Sequence, residues 1–202
     1  MIQPQTNTGE LSQLGAVYQL AGRLWLHEIN QEFVDWIQQP EVANQLTTIG
    51  LEIGDVSQQN IEDLATEYCR LFIGPGPHCS PLQSVHTSGL LSGSAVDSMI
   101  EYLAVIQGPL ERPSMIDQFG FQLNCMGAIL IGSENVSVDE NQTGPIELIG
   151  GFYSDHVQWG KQLCRQVAEL AESGFYQSLI RVTSDLIKEP PTKFLSPTST
   201  KI

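Results

Sequence analysis

The sequence predicts an all-α fold, a single-domain helical bundle. Apolar residues recur three and four positions apart along almost the whole chain, the spacing that lines one face of a helix. No segment sustains the two-residue alternation of a half-buried strand, and no internal repeat occurs at the periods of a solenoid. A chain of 202 residues buries one good core and is short for two.

The elements follow in order. Leu11, Leu14, Tyr18, Ala21 and Trp25 form one amphipathic stripe. Residues 33–37 continue as a short helix, and Pro40 suits the first position of the next, where its missing amide would be orphaned anyway. Gly50 and Gly54 break the chain. Ser57 is a cap for a helix with Ile61, Leu64, Tyr68 and Leu71 in step, closed by Gly74-Pro75. An irregular loop over 74–93, rich in proline and glycine, joins two helical halves and is a candidate hinge. Ser94 is placed to cap a helix bearing Val96, Met99, Leu103 and Ile106, stopped by Gly108-Pro109. Pro113 or Ser114 starts the next, with Ile116, Phe119, Leu123, Met126 and Leu130 on one face. The polar stretch 133–143 reads as a solvent loop, and a long helix over 145–172 follows, with Gly174 closing it. A last helix spans 175–187. The helical domain thus covers 1–189, and the Ser/Thr/Pro-rich segment 190–202 reads as a mobile tail.

Composition narrows the function. Lys+Arg is 9 against 23 Asp+Glu, a net charge of −14. Such a surface repels nucleic acid and anionic membranes and attracts a basic peptide. The plain alternative is that acidity serves solubility alone. The N-terminus lacks the basic-then-apolar order of a secretory signal, and no apolar run reaches the length of a membrane span. Cys69, Cys79, Cys125 and Cys164 are widely spaced, as expected of reduced, mostly buried thiols in the cytoplasm.

No nucleotide, zinc-protease or hydrolase motif occurs, and nothing calls for a cofactor. His78, Cys79, His86 and His156 match no structural zinc spacing; a metal-dependent enzyme using the three histidines stays open as the reading from another class. The plain reading of the histidines is loop polar groups and one helix-surface residue. Tyr68, Leu71 and Phe72 are either core or the apolar wall of a groove facing the loop. Gly93 reads as a turn, and Asp117 as a cap or dipole partner in the first turn of a helix. His156 and Trp159 lie one turn apart, in positions suited to core packing.

Three segments together carry a family resemblance. In the first, Tyr68, Leu71, Phe72, Gly74 and Pro75 precede a proline-rich loop with Pro81, Ser84, Val85 and His86. The second runs from Asp117 and Gln118 to Met126; the third is the segment 152–159, with His156 and Trp159. In this order they resemble the TorD/DmsD/NarJ family of redox-enzyme maturation chaperones. Three positions depart from its pattern: Leu82 and His86 stand where an aromatic is usual, and Gln118 replaces a histidine, so a proton-linked role there is lost.

The resemblance implies an all-helical, non-enzymatic chaperone in the cytoplasm. Its implied partner is the twin-arginine leader, and the apo form, of a molybdopterin-dependent oxidoreductase subunit awaiting export. It implies leader-binding roles for Tyr68, Leu71, Phe72, Pro81, Leu82, Gly93, Asp117 and Gln118, with the Asp117 carboxylate receiving a leader arginine. A NarJ-like assembly factor acting on a cytoplasmic molybdoenzyme is the neighbouring reading. Exchange of halves across the loop would give a minor swapped dimer beside the monomer.

Overall fold

The computed structural model describes residues 9–106, 110–134 and 144–194. Among the described residues ten α-helices carry the fold: α1 (Glu10–Leu26), α2 (Gln31–Ile37), α3 (Pro40–Thr48), α4 (Gln58–Phe72), α5 (Gln83–Ser88), α6 (Ser94–Val105), α7 (Phe119–Ser133), α8 (Gly144–Phe152), α9 (Gly160–Ala168) and α10 (Gly174–Leu186). A π-helical turn, Tyr153–Val157, joins α8 to α9, and a 3-10 turn, Pro191–Phe194, follows α10. Among the described residues there is no strand; one isolated antiparallel bridge pairs Leu82 with Gln118. The all-α expectation holds.

α7 is the axis of the bundle. Its sequence is apolar nearly all round, and residues on every side of it are buried, as for a helix enclosed by others. α1 lies against it antiparallel in the most extensive helix–helix contact of the molecule. The approach is close because glycines face each other at two levels. A Cβ on Gly15 would fall 2.8 Å from the Gly127 carbonyl oxygen, and one on Gly22 would fall 2.6 Å from that of Gly120. The reciprocal substitutions meet the same obstruction: Gly120 faces the Gly22 carbonyl at 2.6 Å and Gly127 that of Gly15 at 2.6 Å. Glu134 accepts from the Gly9 N–H and the Ser12 hydroxyl, tying the end of α7 to the start of α1.

Aromatic rings fill the space between α1, α4 and α10. Trp25 meets Phe119 edge-on at 5.1 Å and Phe72 at 5.3 Å, and Phe72 also contacts Tyr68 and Tyr176. Each polar end is satisfied. Trp25 donates to Thr183 Oγ1, Tyr68 to the Trp25 carbonyl and Tyr176 to that of Leu64.

Several sequence expectations need correction. The loop over 74–93 contains α5, whose six residues Gln-Ser-Val-His-Thr-Ser carry no apolar stripe to announce it. α7 begins at Phe119 rather than near 113, because Asp117 and Phe119 spend backbone groups on residues 81–83. Gly93, not Ser94, is the N-cap of α6. Gly174 opens α10 behind the Ser173 cap instead of closing its predecessor. The long helix over 145–172 is interrupted by the π turn and ends at Ala168. The Ser57 cap and Pro40 at a helix start are found as expected. The Gly108-Pro109 stop, the centre of the polar loop at 135–143 and the segment 195–202 lie outside the described residues.

Candidate binding site at the junction of α5 and α7

The strand-like bridge between residues 81–84 and 117–119 organises the site. Phe119 N–H donates to the Pro81 carbonyl at 2.8 Å, and Gln83 N–H donates to the Asp117 carbonyl at 3.0 Å. The Asp117 side chain then reaches the N-terminus of α5, where Oδ2 accepts from the Ser84 N–H at 2.9 Å. Asp117 is therefore a helix cap supplied across the chain, not in the first turn of its own helix. Its exposure is 0%. Its second oxygen, Oδ1, and the Ser84 hydroxyl are both buried without a hydrogen-bond partner.

Beside this clasp lies a continuous polar network. His156 Nδ1 donates to Gln83 Oε1 at 3.0 Å, and its Nε2 accepts from the Ser98 hydroxyl at 2.9 Å. Gln122 donates to the same Gln83 oxygen at 2.6 Å and accepts from the Trp159 indole at 2.8 Å. Gln83 in turn donates to the Asp155 carbonyl at 2.6 Å. The network joins α5, α6, α7 and the π turn, and every member is satisfied if His156 is the neutral Nδ1-protonated tautomer. Burial keeps the ring neutral, lowering the imidazole pKa to about 4 against the opposing pull of Asp155 and Asp117.

The π turn makes this arrangement possible. Gln158 N–H reaches back five residues to the Tyr153 carbonyl at 2.9 Å. The widened turn carries His156 inward, brings Trp159 against His86 at 5.0 Å and Phe119 at 5.4 Å, and seats Gly160 on the Phe119 ring. A Cβ on Gly160 would fall 2.1 Å from that ring. His86 donates from Nε2 to the Ser80 carbonyl at 2.8 Å, which fixes the ring beside Trp159, tilted by 41° to it.

The site residues named from the sequence separate into two groups. Tyr68, Leu71 and Phe72 belong to the aromatic core, and Leu71 is fully enclosed. They do not form the open wall of a groove. Pro81, Leu82, Asp117 and Gln118 are brought together by the bridge; Leu82 and Asp117 are buried, and Pro81 and Gln118 are half-buried at its edge. Gly93, half-buried, stands close to this group, since a Cβ there would meet the hydroxyls of Ser88 and Ser84. His156 is buried rather than on a helix surface. Sequence reading overlooked Gln83, Ser98 and Gln122. Gln122 had a signal: it shares a buried face with Phe119 and Met126, three and four residues away, where only apolar groups are otherwise expected.

The histidines of the metal-enzyme alternative are not gathered. His78 is exposed and bonded to the Gly76 carbonyl, while His86 and His156 are engaged as described. Among the described residues no group of three or more His, Cys, Asp or Glu side chains is placed to hold an ion. Burial raises the Cys125 and Cys164 thiols to about 12, and all four cysteines are free.

The three segments that carry the sequence resemblance thus converge in space, Ser84 on Asp117 and His86 and Phe119 on Trp159. The sequence also matches the family model of the nitrate reductase delta subunit over residues 38–165, more than half of the chain. The chain belongs to the nitrate reductase delta subunit family. That family is one of molybdoenzyme maturation chaperones, not of enzymes. The matched region of this delta-subunit relative runs from the end of α2 into α9 and so takes in the whole clasp and network. No curated protein and no solved structure matches the chain. No helix among its described residues is long and apolar enough to cross a membrane.

Proposed function

We propose that this delta-subunit family member is a cytoplasmic chaperone that binds the N-terminal twin-arginine leader of a molybdopterin-dependent oxidoreductase subunit and holds the apo-subunit until its cofactor is inserted. The observation that carries the reading is the family match across residues 38–165. The net charge of −14 supports it, since a leader with two arginines ahead of an apolar stretch is attracted by an acidic surface. The chain acts by binding, and no catalytic role is assigned to its histidines.

A second reading has specific support. The matching family is described by nitrate reductase, and a client that keeps only a remnant of such a leader and stays in the cytoplasm would need the same acidic receptor without export. Purification of the chain from its native host, followed by identification of the co-purifying subunit, separates the two: an exported client with paired arginines supports the first, a cytoplasmic molybdoenzyme the second. Recovery of a protein that is not a subunit of any molybdopterin-dependent enzyme would overturn both.

The monomer is the expected working form, with a minor dimer of swapped halves. The bridge at 81–84 ties the second part of the connecting loop to residues 117–119, which favours residues 74–80 as the part of the hinge that opens.

A further inference from the structure

Among the described residues, the outer face of α6 is where exposed large apolar side chains and carboxylates concentrate together. Ile100 is 58% exposed and Val105 57%, and the loop leading into the helix adds Leu90 at 61% and Leu91 at 66%. The buried residues of the same helix, Ala95, Met99 and Leu103, lie on the opposite face, so the exposed ones are not left over from a core. Asp97 and Glu101, one turn apart and both exposed, run down the middle of the outer face. No lysine or arginine occurs between Arg70 and Arg112, so nothing in this stretch neutralises them.

We infer that this face, continued by Leu90 and Leu91, is the surface on which a basic and partly apolar client segment docks. The inference rests on the chaperone reading and gives it a location apart from the buried residues that the sequence singled out. The apolar side chains supply contact area, and the two carboxylates supply a counter-charge for arginine, in the mode of a peptide laid along a helix. A second copy of the chain is the poorer occupant, because pairing α6 with itself would bring four uncompensated carboxylates together.

The test uses the full chain and a labelled synthetic peptide of two arginines followed by a dozen alternating leucines and alanines, with binding read by fluorescence anisotropy. Asp97→Asn with Glu101→Gln, and separately Ile100→Ser with Val105→Ser, should each weaken binding roughly tenfold. Glu62→Gln with Asp63→Asn removes the same charge from the exposed side of α4 and should leave affinity within about twofold. All these side chains are exposed, so the variants keep the fold, which an unchanged melting temperature verifies. Equal weakening by the α4 and α6 charge variants would reduce the effect to net charge and overturn the inference. Peptide binding unaltered by either α6 variant would overturn it while leaving the chaperone reading in place. A wild-type chain that does not bind the peptide would remove both.

Discussion

Asp117 shows how far a single residue can be read from sequence and where the reading stops. Its capping role was legible, but the sequence placed it in the first turn of its own helix; the helix it caps is α5, 33 residues earlier in the chain, and no local pattern announces that partner. Asp117→Ala removes the acceptor and leaves the buried Ser84 N–H unpaired, so stability should fall by about 1–3 kcal/mol in a denaturant titration. A neutral result would show that the carboxylate does not cap α5. His156 gives a pH signature. Its folded pKa is lowered to about 4 from an ordinary 6.5, so the unfolded chain takes up the proton first as pH falls. The stability that depends on neutral His156 is complete above pH 6.5 and is lost progressively towards pH 4, by on the order of 1–3 kcal/mol. Melting temperature measured between pH 7 and 5 should therefore decline, and His156→Gln should flatten the decline. An identical slope in the variant would place the acid sensitivity in other groups.

At the scale of elements, helices with a long apolar stripe were legible because their periodicity is set by the face they bury. α1, α4 and α10 are of this kind. α5 was not, being too short and polar to show a stripe, and neither was the π turn, since one widened turn leaves no compositional mark. The glycines of α1 and α7 were equally silent: at Gly15, Gly22, Gly120 and Gly127 the reason for glycine is the carbonyl of the facing helix. Gly22→Ala and Gly127→Ala should each cost about 2 kcal/mol or more, because the obstruction is backbone and cannot rotate away. Gly132→Ala in the same α7 meets nothing within 4 Å and should raise stability by about 0.5–1 kcal/mol. Thermal melts of the three variants give the comparison, and similar shifts for all three would refute the close approach of α1 and α7.

For the whole molecule, the acidic excess was fully visible in the sequence, whereas its distribution required the fold. Binding of the paired-arginine peptide should weaken as salt is raised from low ionic strength to about 0.5 M, where screening acts within about 5 Å, and an apolar remainder should persist. An affinity flat across that range would mean that the charge of −14 takes no part in recognition. The π turn also bears on the molecule beyond the contacts it makes. By closing over five residues it holds one more residue than a regular helix would at that point, so α8 and α9 are set out of rotational phase by about 100°. Regularising the turn at its present length would rotate Trp159 and Gly160 away from Phe119 by that angle, whereas deleting Ser154, an exposed residue with no role in the network, would restore a regular helix with both still facing it. The wide turn is thus a stored residue, and the facing of α9 depends on its being either looped out there or absent, whichever side chain it carries.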